Sequence, residues 1–132
     1  MMKRILYTLL ATALIASCQK ADDNGDLGGN WKLLQIEDFA KDSIIGTKSD
    51  GISWAIQLDL LAVNAREDLT NSGKGRFQHV GDSLFVQMIN IPRKPEKFGL
   101  YNPTDERFEV IELNRNRMLL RSRFALLKFR KF

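Results

Sequence analysis

The sequence predicts an all-β fold, an eight-stranded antiparallel up-and-down barrel. Large apolar residues alternate with polar ones in short segments such as Trp54–Leu60, and this period of two is typical of a strand with one buried face. Turn-forming residues separate the segments, as at Gly81-Asp82 and at Asn114-Arg115-Asn116. Many short strands joined mostly by brief turns favour a closed meander barrel.

The first residues of the chain predict an export signal rather than a strand. The basic pair Lys3 and Arg4 precedes an apolar or small-residue run from Ile5 to Ser17, which is the layout of a secretory signal peptide. A transmembrane anchor is the rival interpretation, but the run would span only about 20 Å as a helix, against roughly 30 Å of hydrocarbon. We therefore interpret residues 1–17 as a cleaved signal peptide.

Cys18 follows this run and is the single cysteine of the chain. The segment Ile15-Ala16-Ser17-Cys18 resembles the lipobox of bacterial lipoproteins, in which cleavage precedes the cysteine and its thiol is acylated. The resemblance implies lipidation of Cys18, by palmitate among other chains, and a membrane as partner. Two or three acyl chains would make the anchoring effectively permanent, whereas one chain binds reversibly.

Residues 18–29 predict a flexible acidic tether. They contain almost no apolar side chains and several glycines, so they cannot bury enough surface to offset the entropy of ordering. The segment from Cys18 to Asp23 also resembles the surface-export signal of Bacteroidota lipoproteins. That resemblance implies an outer-membrane lipoprotein displayed at the cell surface, and a tether facing the periplasm is the alternative.

Residues 30–132 are expected to form one domain, the barrel. About 100 residues suffice for a single core. Alternation and turn residues place eight strands, the weakest of which has Gly99 at its centre. The predicted strands lie near 30–37, 52–63, 74–80, 83–89, 97–101, 107–113, 117–121 and 125–131.

Three segments of the domain resemble a known family. Gly29-Asn30-Trp31 resembles the Gly-x-Trp start of lipocalins, and Trp54–Leu58 is similar to the second strand of the lipocalin-like lipoproteins of Bacteroidota, an uncharacterised family. Leu127–Lys131 is similar to the Leu-x-Phe-x-Lys pattern of their last strand. The resemblance implies a lipocalin-like barrel and says less about a ligand.

One lipocalin motif is missing, because Glu106 follows Thr104-Asp105 where the family has tyrosine. The resemblance also implies an arginine stacked on Trp31. Its candidates are Arg121, Arg123 and Arg130.

The composition offers no catalytic or metal-binding cluster. His79 is the single histidine and Cys18 is expected to be acylated, so neither a zinc site nor a Cys–His pair can be assembled. Gly73-Lys74-Gly75 lacks the third glycine and the helix of a dinucleotide loop. We expect no enzymatic activity, no cofactor and no metal. Nucleic acid is not an expected partner of an exported lipoprotein.

The C-terminal stretch between Arg115 and Phe132 holds seven basic residues and no acidic one. It is interpreted as the solvated exterior of the barrel. Attraction to anionic lipid or lipopolysaccharide is the functional alternative.

Two long loops are the expected places for binding, since long loops of compact domains are often lids or binding surfaces. Phe39–Gly51 carries an apolar centre, and Asn90–Asp105 contains all three prolines. The second loop is read either as a plug of one barrel end or as a lid. The candidate ligand-binding residues of barrel and loops are Trp31, Trp54, Phe98 and Tyr101.

An eight-stranded barrel is just wide enough to be filled by side chains or to hold one small ligand. The leading hypothesis is a membrane-anchored protein that binds a small hydrophobic ligand in the barrel or an envelope protein at its loop-bearing end. The alternative is a structural or accessory subunit of an outer-membrane complex, with a filled barrel and no ligand. An interior cavity would favour the ligand binder, and a filled interior with an exposed apolar patch would favour the subunit.

Overall fold

The structure is a computed structural model that describes residues 24–132. The signal peptide 1–17, the acylation site Cys18 and the start of the predicted tether lie outside these residues. Nine antiparallel strands make up most of the described chain. They are β1 (Gly29–Asp38), β2 (Ser43–Gly46), β3 (Ile52–Gln57), β4 (Leu60–Ala65), β5 (Ser72–Val80), β6 (Ser83–Asn90), β7 (Glu106–Leu113), β8 (Arg117–Arg121) and β9 (Ala125–Lys131). Three short 3₁₀ turns, at Gly25–Leu27, Lys48–Asp50 and Pro95–Phe98, connect or precede them.

The sheet closes on itself because β1 pairs with β9. β3 pairs with the first half of β1, at Gly29–Lys32, and β2 pairs with its second half, at Gln35–Asp38. β2 and β3 run in the same direction and share one position in the ring. Eight positions result, which confirms the predicted eight-stranded antiparallel barrel. No helix of the described chain is long and apolar enough to span a membrane.

Two predicted strands differ from the structure. The segment 52–63 is a hairpin, β3 and β4, because the chain reverses at Leu58, whose φ of 57° is unusual for a leucine. The predicted strand at 97–101 is wrong, because Pro95–Phe98 forms a 3₁₀ turn that ends at Gly99. One strand gained and one lost leave eight strands around the ring, and the ninth strand, β2, lies in a segment predicted as loop.

Side chains alternate between the two faces of each strand, and one face fills the barrel. In β3 the buried residues are Ile52, Trp54 and Ile56, every second position. Trp54 contacts Phe108 and Phe129, with ring centroids 5.7 Å and 4.8 Å away. The interior is therefore a packed aromatic and aliphatic core.

The barrel has two distinct ends. The β3–β4, β5–β6 and β7–β8 turns lie at the same end as Asn24, where the described chain begins, and we call this the tether end. The β1–β2, β4–β5 and β8–β9 turns and the long β6–β7 loop lie at the opposite, loop-bearing end.

Trp31 closes the tether end. Its side chain is fully buried, and its indole N–H donates a hydrogen bond to the carbonyl of Leu27 at 2.8 Å. The Lys131 ammonium lies 4.4 Å from the centre of the ring and donates to the carbonyls of Asp26, at 2.9 Å, and Gly28, at 2.6 Å. Residues 24–28 of the predicted tether therefore pack on the barrel.

The cation over Trp31 is thus a lysine, and the expected arginine is wrong. Cross-strand pairing places Lys131 directly opposite Trp31. Arg121 instead bonds Glu109 at 2.7 Å, and Arg123 lies over the ring of Phe124. Arg130 pairs with Lys32, one position further along the ladder.

We expect Trp31→Ala to lower the free energy of unfolding by about 3–5 kcal/mol, since it removes a fully buried aromatic side chain. Trp31→Phe keeps a ring under Lys131 and should cost less. Leu69→Ala, at a residue that is 82% exposed, should change stability by no more than about 0.5 kcal/mol. Urea unfolding followed by circular dichroism measures all three. Equal midpoints for Trp31→Ala and Leu69→Ala would contradict the closing role of the indole.

Candidate binding site at the loop-bearing end

The β6–β7 loop turns into the mouth of the barrel. Its 3₁₀ turn, Pro95–Phe98, leads to Leu100, and both Phe98 and Leu100 are fully buried. The indole N–H of Trp54 donates a hydrogen bond to the carbonyl of Phe98 at 3.1 Å. Residues 95–100, which we call the plug, therefore belong to the barrel core.

Gly99 allows the plug to lie against the barrel wall. Its φ of 80° is in the left-handed region, and a Cβ at this position would collide with the side chain of Leu127 in β9. The N–H of Gly99 donates a hydrogen bond to the carbonyl of Glu96, and the N–H of Leu100 donates to the carbonyl of Pro95, both at 3.1 Å. These bonds make the plug a compact turn of backbone that fits only with glycine at its end.

A buried amide fixes the start of the plug to the β4–β5 turn. Asn71 is fully buried, and its side chain donates to the carbonyl of Lys94 at 3.3 Å and accepts from the Lys94 N–H at 2.9 Å. Arg93 and Asp68 form an ion pair of 2.7 Å beside it. These contacts satisfy the polar atoms that the loop brings to the rim.

A second polar cluster fixes the end of the plug. The Glu106 carboxylate is 2% exposed and accepts hydrogen bonds from the N–H groups of Tyr101, at 3.0 Å, and Asn102, at 3.1 Å. Burial raises the pKa of Glu106 above its usual value, although both backbone bonds oppose the shift. Glu106 thus acts as a buried acceptor for two backbone donors that have no strand partner.

Tyr101 links this cluster to β1. Its hydroxyl donates to the Asp38 carboxylate at 3.1 Å, and its ring stacks on Phe124 with centroids 5.6 Å apart. Burial, together with the bond to Asp38, raises the pKa of Tyr101 to about 12. The N–H of Lys41, which bonds Asp38 at 3.0 Å, is the main reason why the pKa of that carboxyl is lowered.

The four candidate ligand-binding residues lie at three heights along the barrel: the tether end, the interior and the rim of the loop-bearing end. Trp31 lies at the tether end and pairs across the ladder with Trp54. The Trp54 indole donates a hydrogen bond to the carbonyl of Phe98 in the plug, and Tyr101 lies half-buried at the rim. The structure brings the first three together in one buried core and leaves Tyr101 at its edge.

Sequence reasoning did not single out Asp38 or Asn71, and it noted Glu106 only as a departure from a lipocalin motif. Their roles depend on backbone groups that are distant in sequence, so no local pattern marks them. His79 lies exposed on β5. Residues 24–132 contain no group of three or more His, Cys, Asp or Glu side chains that could hold a metal.

One exposed feature of the loop-bearing end is β2, which is the last strand of the sheet order and pairs with β1 only. Ile44 and Ile45 are 64% and 42% exposed, on its two faces. The N–H of Thr47 donates a hydrogen bond to the carbonyl of Leu34 in β1 at 3.0 Å. Because successive residues of an antiparallel strand alternate in the direction of their backbone groups, those of Ile44 and Gly46 face away from β1. β2 is therefore an open sheet edge that carries two exposed isoleucines.

Comparison with known proteins agrees with this architecture. The family model described as a lipocalin-like domain matches residues 13–132, and that of the prokaryotic membrane lipoprotein lipid attachment site matches residues 2–19. No curated protein matches the chain.

Two solved structures share the fold. A lipocalin-like protein from Bacteroides uniformis ATCC 8492 is 19% identical, with a TM-score of 0.69 over 82% of this chain and 100% of that one. An uncharacterized protein from Bacteroides eggerthii DSM 20697 is 16% identical, with a TM-score of 0.66 over 80% and 98%. At these identities the likeness concerns the fold alone.

We expect Gly99→Ala to destabilise the protein by the cost of a left-handed alanine, about 1–2 kcal/mol, plus about 1–3 kcal/mol for the collision with Leu127. Gly81→Ala is the matched control, since Gly81 has a φ of 59° but open space around its Cβ position. Urea unfolding of both variants separates the two contributions. Equal losses would show that the plug is not packed against β9.

We expect the stability difference between the wild type and Asp38→Asn to depend on pH. The pKa of Asp38 is lowered in the folded state, so its contribution is present above the unfolded value of about 3.9 and is lost as the pH falls through the folded value. The wild type should therefore exceed Asp38→Asn in stability at neutral pH, and the difference should shrink in acid. Tyr101→Phe, which removes one bond to this carboxylate, should reduce the pH dependence. A difference that stays constant from neutral pH to pH values well below 3.9 would contradict this account.

Proposed function

Because the chain belongs to the lipocalin-like domain family and carries a lipoprotein attachment site, we propose that it is a non-enzymatic, membrane-anchored binding protein that docks an envelope protein at its loop-bearing end. This role is that of an accessory subunit rather than of a ligand carrier. The observation that carries the proposal is the filled barrel: Phe98 and Leu100 occupy the mouth and are fully buried.

The filled interior argues against a ligand held in the barrel at rest. The interior of an eight-stranded barrel has room for its side chains or for one small ligand. Here the plug shares the core with Trp54, Phe108 and Phe129. A ligand would first have to displace Phe98 and break the 3.1 Å bond between its carbonyl and the Trp54 indole.

The open edge of β2 supports partner docking. A strand with outward N–H and C=O groups can accept an extended segment of another protein, with backbone bonds supplying affinity and side-chain contacts supplying specificity. Proteins usually protect such edges with charges or prolines, whereas β2 exposes Ile44 and Ile45 there. The exposed charges around the strand are balanced, Lys41 and Lys48 by Asp42 and Asp50, so the backbone edge and the two isoleucines supply the docking contacts.

Acylation of Cys18, by palmitate among other chains, and location in the outer membrane complete the proposal. The lipid attachment match supports the membrane anchor. The acids Asp22 and Asp23, close after Cys18, support display at the cell surface over the periplasmic face.

Site-specific crosslinking in intact cells tests the docking surface. We expect a photoreactive residue in place of Ile44 to give a discrete adduct with an envelope protein, and the same residue in place of Val80 to give none. Ile44 and Val80 are both 64% exposed, but Val80 lies at the tether end. Ile45→Lys should abolish the adduct from position 44 by charging the edge. Adducts that are equal at both positions, or unchanged by Ile45→Lys, would refute partner docking at β2.

A small hydrophobic ligand is the second candidate, favoured by the apolar side chains that line the barrel interior. Under this hypothesis an apolar fluorescent probe binds the wild type, and Phe98→Ala strengthens binding because it vacates part of the core. Under partner docking the probe binds only after Phe98→Ala. Fluorescence titration of the two proteins distinguishes the hypotheses.

A further inference from the structure

The tether end carries an apolar patch beside the point at which the chain leaves the barrel. Leu58, at the tip of the β3–β4 turn, is 42% exposed, and Leu60, at the start of β4, is 51% exposed. Small side chains at Ala55 and Ala62 leave an open groove of about 310 Å³ between these leucines and Lys74. We call Leu58, Leu60 and this groove the leucine patch.

The side chain of Asn24 fixes the beginning of the described chain to this patch. Its amide donates a hydrogen bond to the carbonyl of Leu58 at 2.8 Å. Cys18, the single cysteine of the segment 2–19 that matches the lipid attachment site, precedes Asn24 by six residues. Six residues span at most about 20 Å, so the acylated cysteine holds Asn24, and with it the leucine patch, near the bilayer surface.

The conformation of Leu58 is an independent indication that the leucine serves a purpose. Its φ of 57° is one that glycine or asparagine adopts readily in a tight turn and that leucine rarely adopts. Leu58 lies outside the barrel core, and 42% of its surface stays exposed. Such local strain at an exposed apolar residue is typical of a functional position.

The charges beside the patch suit an anionic lipid surface. Cross-strand pairing sets Arg76 opposite Leu60 and Lys74 opposite Ala62, and both basic side chains are exposed. The acids of this region are Asp59, in the turn itself, and Asp26, in the turn that follows Asn24. Basic residues that flank exposed leucines favour the boundary between anionic headgroups and acyl chains.

We propose that the leucine patch docks on the membrane that holds the lipid anchor, with Leu58 and Leu60 in the interface and Lys74 and Arg76 at anionic headgroups. Docking orients the barrel with its loop-bearing end away from the membrane. The proposal rests on the lipid anchor at Cys18 and not on the partner proposed for β2.

Quenching by brominated lipid tests this orientation in the full chain, acylated at Cys18 and reconstituted into phosphatidylethanolamine–phosphatidylglycerol vesicles. Because acylation occupies the native cysteine, an introduced cysteine is the single free thiol for an environment-sensitive dye. We expect the dye at Gln57→Cys, beside the leucines, to lose about half of its emission or more, since an interfacial group lies within about 10 Å of the acyl boundary. The dye at Leu69→Cys, at the opposite end, should lose none. Equal quenching at the two sites, or stronger quenching at Leu69→Cys, overturns the proposal.

A second set of variants tests the leucines themselves. Leu58→Ser with Leu60→Ser should abolish the quenching at Gln57→Cys, whereas Ile44→Ser with Ile45→Ser should leave it unchanged. Quenching that survives loss of both leucines overturns the patch as the docking element. The circular dichroism spectrum of each variant confirms that it is folded. Failure of crosslinking at Ile44 would refute the partner at the other end and leave these results as they are.

Discussion

The pairing of β1 with β9 is the constraint on which the remaining structure depends. It closes the ring, fixes the width of the interior and brings the first and last strands side by side. Closure removes the open edges that a flat sheet would expose, except at β2, which pairs with β1 only. It also places Lys131 over Trp31, so the same ladder that closes the wall closes the tether end.

A closed ring has a fixed interior, and that interior has to be filled. The strands supply Trp54, Phe108 and Phe129, and the β6–β7 loop supplies Phe98 and Leu100. Bringing a loop into a barrel mouth buries its backbone polar groups, which need partners. Trp54, Asn71 and Glu106 provide them, and this explains why a carboxylate whose pKa is raised by burial is kept at the rim.

The two ends of the barrel then carry different surfaces. β1 is longer than its neighbour β3, so its second half carries β2, whose far edge stays open. At the opposite end the chain arrives beside the exposed leucines of the β3–β4 turn. A membrane contact at one end and a partner at the other are compatible, because the barrel separates the two surfaces.

The sequence by itself determined the class of fold and the lipid attachment site, because these depend on local patterns: alternation, short turns and a signal layout. It predicted most strand positions for the same reason. Only the tertiary structure decided that residues 52–63 form a hairpin. The turn at Leu58 has a positive φ, which leucine rarely adopts, so the sequence does not predict a turn there. Only the structure decided that Phe98 and Leu100 fill the barrel, that Lys131 is the cation on Trp31 and that β2 forms an open edge. Each of these features depends on contacts between residues that are distant in sequence and that form once the ring has closed. The periodicity of the sequence does not predict such contacts.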